Sequence, residues 1–124
     1  MAGIQYFLIF QRVPAVIPGN SLGLNPSDGP LVLTLLSITW NDAKDDALID
    51  RIAKDLISRI EVLAKAAGLF KEYKYLNYAA DFQNPIASYG PASLENLREV
   101  SRKYDPTGVF QTRVPGGFKL FFSK

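Results

Sequence analysis

Apolar residues fall along the chain in two rhythms. Ile4 to Gln11 (IQYFLIFQ) is a nearly unbroken aromatic and branched run, the composition that strands favour. Its continuity, in place of alternation, predicts a strand buried on both faces. Leu31 to Trp40 (LVLTLLSITW) is the second such run, interrupted only by Thr34, Ser37 and Thr39, and predicts a central or heavily covered strand. Between them Val13 to Pro30 is rich in Pro and Gly. Connectors this long are uncommon in compact domains, so it reads as a functional loop or as a sign that something is missing around it.

The rhythm then becomes helical. Ile49, Ile52, Leu56, Ile60, Leu63 and Ala67 recur at spacings of 3, 4, 4, 3 and 4, one apolar stripe on a helix from about Asp42 to Ala67. Asn41-Asp42 is its start, and Asp45 and Asp46 suit the positive end of its dipole. Asp50–Lys54, Asp55–Arg59 and Glu61–Lys65 are acid-first i,i+4 pairs, and Gly68 is the expected stop. A second helix is predicted over Pro91 to Tyr104, with Leu94, Leu97, Val100 and Tyr104 as its apolar face. Asp105-Pro106-Thr107-Gly108 reads as a stop and turn.

Between the helices Lys71 to Ala79 (KEYKYLNYA) reads as a polar, aromatic extended segment. As a strand it would put Tyr73, Tyr75 and Asn77 on one face and Lys74, Leu76 and Tyr78 on the other. From composition alone, an aromatic-rich strand with its hydroxyls at the edge of a core is favoured over a site.

Composition narrows the chemistry. The chain has 124 residues, 48% of them hydrophobic and 21% charged, which rules out a low-complexity or globally disordered chain. Fourteen basic and twelve acidic residues leave a net charge of +2, too balanced for a nucleic-acid binder. Arg98, Arg102 and Lys103 form a ridge on the second helix, but Glu95 and Glu99 beside them favour a solvated face or a protein contact. There is no His and no Cys, which excludes Ser-His-Asp triads, thiol chemistry, disulfides and Cys/His zinc sites. Asp42, Asp45, Asp46 and Asp50 open a helix and lack the spacing of a calcium loop, so no metal is expected. The glycines form no phosphate cradle. No apolar run nears the ~20 residues that span a bilayer, and no basic residue precedes the first apolar stretch. The chain as given is therefore expected to be soluble, intracellular and without a signal peptide, or to be a piece whose targeting segment lies elsewhere.

Tyr75-Leu76-Asn77-Tyr78, Ser88-Tyr89-Gly90, Leu94…Leu97-Arg98…Val100, and Lys103-Tyr104-Asp105-Pro106…Val109-Phe110 together resemble the C-terminal signature of berberine-bridge-enzyme-like flavin oxidases of the vanillyl-alcohol-oxidase type. Pro115-Gly116-Gly117-Phe118-Lys119-Leu120, Leu22-Gly23-Leu24 and the strand ending at Trp40 resemble fungal members. The resemblance implies the last part of a substrate domain and the segment that returns to the flavin domain. It implies Tyr78 as a catalytic base, and Asn77 and Tyr75 as residues facing FAD. A phenol of pKa about 10 needs a partner that lowers it before it can act as a base near neutrality. Family members often attach their flavin through His and Cys, links this chain cannot supply.

The expected fold is therefore α+β: antiparallel strands covered by a long helix, then an extended Tyr-rich segment and a C-terminal helix. Residues 1–70 would form a partial substrate domain and 71–124 the berberine-bridge-like segment. The expected function is the C-terminal portion of an FAD-dependent oxidoreductase acting on an alcohol or natural-product carbon, holding no FAD and having no redox activity alone. The alternatives are a stand-alone, flavin-free protein that binds a hydrophobic small molecule or catalyses a non-redox step of natural-product biosynthesis, or an oligomeric interaction module. Phe82, Val109, Phe110, Phe118, Phe121 and Phe122 would be bare where a flavin domain packs, predicting a homo-oligomer or a missing partner. No nucleic acid or membrane is expected as a partner.

Overall fold

The computed structural model describes residues 4–14 and 18–121. Its elements are β1 (Gln5–Arg12), β2 (Val32–Thr39), α1 (Asp46–Ala66), α2 (Pro91–Tyr104) and α3 (Val109–Thr112), with short 3-10 turns between them. The fold is α+β, as expected. Two compact units divide the chain: residues 1–13 with 31–71, and residues 14–30 with 72–124. The connector between the two strands thus clusters with the C-terminal half of the sequence.

In the first unit, β1 and β2 pair antiparallel from Gln5↔Thr39 to Arg12↔Val32. The amide of Val13 donates to the carbonyl of Leu31 at 2.9 Å, adding a rung. Tyr6↔Ile38, Leu8↔Leu36 and Phe10↔Thr34 share one face; Phe7↔Ser37, Ile9↔Leu35 and Gln11↔Leu33 share the other. The expectation that β1 is buried on both faces is overturned: every residue of it is exposed. Likewise β2 is not central, because among the described residues the sheet has only these two strands. A continuous apolar run specifies a strand but not the layers meant to cover it. Cross-strand pairs contribute about 0.2–1 kcal/mol each, and a two-stranded sheet is marginal in water.

The strand-to-helix corner is set by acids. The Asp42 carboxylate accepts from the amide of Lys44 at 3.1 Å and pairs with its ammonium at 2.7 Å. Those bonds to Lys44 hold the exposed Asp42 carboxyl below the usual carboxylate range. Asp46 accepts from the indole N–H of Trp40 at 2.7 Å. A 3-10 turn over Ala43–Asp45 precedes α1, which therefore starts four residues later than the periodicity predicts. The i,i+4 pairs Asp50–Lys54 and Asp55–Arg59 form at 2.6 and 3.0 Å. Their exposure limits them to a few tenths of a kcal/mol each. The buried arc of α1 differs from the predicted stripe. Ile49 is buried, and Ala53, Ile57, Ile60 and Ala64 are half-buried, while Ile52, Leu56 and Leu63 lie exposed beside them. The apolar arc is wider than the surface that covers it.

In the second unit, α2 spans the predicted residues and starts with Pro91 at its first position. Leu94, Leu97, Arg98 and Ser101 form its half-buried side, and Val100 and Tyr104 are exposed, against the expected face. Within the basic ridge, Arg98 and Arg102 share the Glu95 carboxylate, at 3.8 and 3.0 Å. Arg98 also donates through Nε to the carbonyl of Leu120 at 3.0 Å, tying the tail to α2.

The stop-and-turn sequence after α2 has a definite structural task. Gly108 takes the left-handed conformation (φ 68°, ψ 32°), reversing the chain into α3. The carboxylate of Asp105 then accepts from the amides of Val109 at 2.8 Å and Phe110 at 2.9 Å, two donors that the first turn of α3 leaves unpaired. At the other end Lys119 donates to the carbonyls of Phe110 and Val114 at 3.1 and 2.9 Å. Asp105→Ala should therefore cost about 1–2 kcal/mol, and Asp105→Asn less because it keeps one acceptor oxygen. Thermal melts should rank wild type above Asn above Ala; equal midpoints for all three would contradict the capping assignment.

Candidate functional site

The site is built on one turn. Asn84 accepts from the amide of Ala87 at 3.1 Å, which bends the chain through Pro85 and Ile86. Pro85 is fully buried, and Ile86 and Tyr89 are buried. The connector from the strand hairpin lies against this turn. Asn20 braces it, accepting from the amide of Leu22 at 2.9 Å and donating to the carbonyl of Leu24 at 2.8 Å. Leu24 is buried, and Gly23 between them has φ +71°. A Cβ at Gly23 would stand 2.0 Å from the carbonyl oxygen of Tyr89. Backbone meets backbone there, and only glycine permits it.

The tyrosine segment is pinned to the same turn. The Tyr73 ring stacks on that of Tyr89, with centroids 5.8 Å apart and planes inclined by 24°. Ser88 accepts from the amide of Lys74 at 2.9 Å and donates to the carbonyl of Pro85 at 2.5 Å. Thus fastened, the chain stays extended to Tyr75 (φ −74°, ψ 117°) and closes a 3-10 turn over Leu76–Tyr78. The amide of Tyr78 donates to the carbonyl of Tyr75 at 3.0 Å. The turn swings the Tyr78 ring edge-on to Tyr75, with centroids 4.9 Å apart and planes at 81°. The side-chain amide of Asn77 donates to the phenol oxygen of Tyr75 at 2.9 Å.

All three residues singled out by sequence, Tyr75, Asn77 and Tyr78, therefore meet in one cluster. Strand alternation would have placed Tyr78 opposite Tyr75 and Asn77, and Tyr73 with them. Instead the 3-10 turn brings Tyr78 round, and Tyr73 leaves for Tyr89. Tyr75 is half-buried, whereas Asn77 is exposed and Tyr78 is 40% exposed, so a partner molecule can reach the amide and the phenol. The supports were harder to read from sequence. Ser88-Tyr89-Gly90 stands out as a motif, but nothing local to Gly23 announces its contact with Tyr89.

Burial, then the neighbouring phenol of Tyr75, raises Tyr73 above its ordinary value; burial, then Tyr73 and Tyr75, raises Tyr89. Both shifts disfavour ionisation of these two rings. Elsewhere in the unit, Val109, Phe110 and Phe121 are exposed, Phe82 is 36% exposed and Phe118 is half-buried, while Phe122 lies outside the described residues. Among the described residues, no group of three or more acidic side chains could hold a metal ion, and no helix is long and apolar enough to cross a membrane.

Residues 74–114 match the family model described as "Berberine and berberine like". The FAD-dependent monooxygenase drtC of Aspergillus calidoustus is 42% identical over 102 residues, 82% of this chain and 19% of its own length. The FAD-dependent monooxygenase FUP4 of Fusarium proliferatum is 40% identical over 102 residues, 82% of this chain and 20% of its own. The bifunctional solanapyrone synthase of Alternaria solani is 43% identical over 94 residues, 76% of this chain and 18% of its own. The chain thus spans about a fifth of the length of these relatives. No solved structure matches it.

Two outcomes are expected. Because Tyr73 and Tyr89 prefer to stay protonated when folded, their contribution to stability is complete below pH ~10 and is lost as pH rises through their raised folded values. Unfolding midpoints should fall in that alkaline window, and Tyr89→Phe should flatten the fall; a midpoint that rises with pH there would be contrary. Gly108→Ala should cost about 1–2 kcal/mol, the strain of a left-handed alanine with open space around it. Gly23→Ala adds a backbone collision and should lose clearly more in a denaturant titration; equal losses would refute the close approach.

Proposed function

We propose, from a chain that belongs to the berberine and berberine-like family of FAD-linked oxidoreductases, that residues 72–121 form the substrate-facing wall of such an enzyme. The observation that carries the proposal is the Tyr75–Asn77–Tyr78 cluster. It lies inside the matched segment, presents an exposed amide and phenol, and rests on a turn whose own phenols are held neutral.

The residues fit one end of an FAD molecule. Tyr75 and Tyr78 offer aromatic surface and Asn77 an amide, a donor set suited to a flavin ring. They offer nothing for the pyrophosphate: the tight glycine at position 23 is filled by the Tyr89 carbonyl and so is no phosphate cradle. FAD, when bound, supplies the hydride acceptor. On this reading Tyr78, as phenolate, takes the proton from a substrate hydroxyl or acidic C–H as hydride leaves the adjacent carbon. Asn77 and Tyr75 orient the ring and each other. The chain alone is proposed to hold no FAD and to have no redox activity, and its substrate to be an alcohol or natural-product carbon. Soluble oligomers or a flavin-domain partner would cover its exposed phenylalanines.

A chimera tests this. This chain should replace the matching residues of the drtC monooxygenase with retention of bound FAD. In that chimera Tyr78→Phe should lower kcat by about 10²–10⁴-fold, the usual contribution of a positioned base, while leaving the flavin spectrum intact. Unchanged turnover in Tyr78→Phe would sink the role of Tyr78. A tightly held yellow flavin and substrate-dependent oxygen uptake by the isolated chain would sink the claim of dependence.

A further inference from the structure

The bond between Asn77 and Tyr75 fixes more than the place of two side chains. A phenol has a single proton to donate, and its oxygen can accept a bond at the same time. The side-chain amide of Asn77 donates to the Tyr75 oxygen at 2.9 Å. Accepting occupies a lone pair, so the Tyr75 proton is directed away from Asn77 and remains able to donate. The ring is held in place as well. It meets Tyr78 edge to face, with centroids 4.9 Å apart, and the Tyr78 amide donates to the Tyr75 carbonyl at 3.0 Å. One N–H therefore sets the polarity of the phenol that packs against the proposed base.

We propose that Tyr75 donates a hydrogen bond to a substrate oxygen on which negative charge builds, that Asn77 is the positioning residue that sets its polarity, and that the substrate is an enolisable carbonyl compound. With Tyr78 read as the base, on which this depends, two protons are open to it. Were it a hydroxyl proton, the alkoxide would lose charge as hydride leaves its carbon, and a fixed donor would hold that charge back. For a C–H proton beside a carbonyl, charge moves onto the carbonyl oxygen, where a fixed donor stabilises it. In that step the α C–H bond breaks and its proton passes to the Tyr78 phenolate. The electron pair left behind forms the carbon–carbon double bond as hydride leaves the β carbon for FAD. The product is the α,β-unsaturated carbonyl compound, and Tyr75 keeps its proton throughout. The phenols of Tyr73 and Tyr89 lie within electrostatic reach of Tyr75 and are the competing internal acceptors of its bond.

The polarity is tested in the chain alone. The Raman Fermi doublet of tyrosine reports whether a phenol oxygen accepts or its O–H donates, and subtracting Tyr75→Phe in each background isolates Tyr75. Asn77→Asp exchanges the N–H donor for an acceptor of the same shape, so Tyr75 should turn its proton to the carboxylate and its doublet should shift toward the donor type. No shift would overturn the polarity; so would a Tyr75 doublet that moves only in Tyr73→Phe or Tyr89→Phe. The substrate class is tested in the FAD-loaded drtC chimera, with circular dichroism and FAD content checking each variant. Acetylacetone, whose enolate carries charge on oxygen, should perturb the flavin absorbance on binding. Tyr75→Phe and Asn77→Asp should each weaken it by about 10–100-fold, the loss of one bond to a charged group, while pentan-2-ol is indifferent to both. Acetylacetone that fails to bind, or equal effects on both ligands, would overturn the assignment. Tyr75→Phe should also lower kcat by about 10²–10³-fold, as removal of one oxyanion donor does. If Tyr78→Phe is slow and Tyr75→Phe is not, the donor role falls and the base stands; if Tyr78→Phe turns over normally, the base falls and the donor role with it.

Discussion

The second unit depends on a close approach of two backbones, Gly23 on the Tyr89 carbonyl. With no side chain between them, the Leu22–Leu24 connector can lie flat on the Pro85–Tyr89 turn. That contact buries Leu24, Ile86 and Tyr89, and the buried Tyr89 ring becomes the platform for Tyr73. From Tyr73 the chain is held by Ser88 and released into the 3-10 turn that gathers Tyr75, Asn77 and Tyr78. Each link is a modest interaction of about 1 kcal/mol, but they act in series on the same few residues. The site geometry is inherited from a glycine some fifty residues earlier in the chain.

The division of labour among the tyrosines follows from burial. Tyr73 and Tyr89 are the stacked pair, both raised by burial first, then Tyr73 by Tyr75, and Tyr89 by Tyr73 and Tyr75. Tyr75 spends its hydroxyl accepting from Asn77. Tyr78 is the phenol that combines exposure with membership of the cluster. Residue type alone offers four phenols within seventeen residues; packing buries Tyr89, half-buries Tyr73 and Tyr75, and leaves Tyr78 exposed.

Local elements were legible in the sequence because local chemistry decides them. Pro91 and the Asp105–Gly108 turn bound α2 where they should, and the two β-rich runs became strands in the expected places. Burial was less legible. The continuous run Ile4–Gln11 encodes a strand suited to cover on both faces, yet the described chain offers it one neighbour. The same holds for Ile52, Leu56 and Leu63 on α1, and for Val100 and Tyr104 on α2. These residues record surfaces that apolar patterning anticipates and this sheet and these helices leave open. The three residues named from the sequence do lie together, but in a different grouping from the expected one. Strand alternation is the default for an extended aromatic segment, and the 3-10 turn that overrides it is enforced from outside, by Ser88 and Tyr89.

The central claim is that the tyrosine cluster is preorganised by the turn beneath it. Native-state hydrogen exchange read at single amides tests it most directly. The amide of Lys74, bonded to Ser88, and that of Tyr78, bonded to Tyr75, should exchange many-fold slower than the unstructured chain. Ser88→Ala should release Lys74 while the amides of α2 remain protected. Exchange of both amides at unstructured rates in the wild type, with α2 still protected, would show that the cluster is not held and would contradict the account.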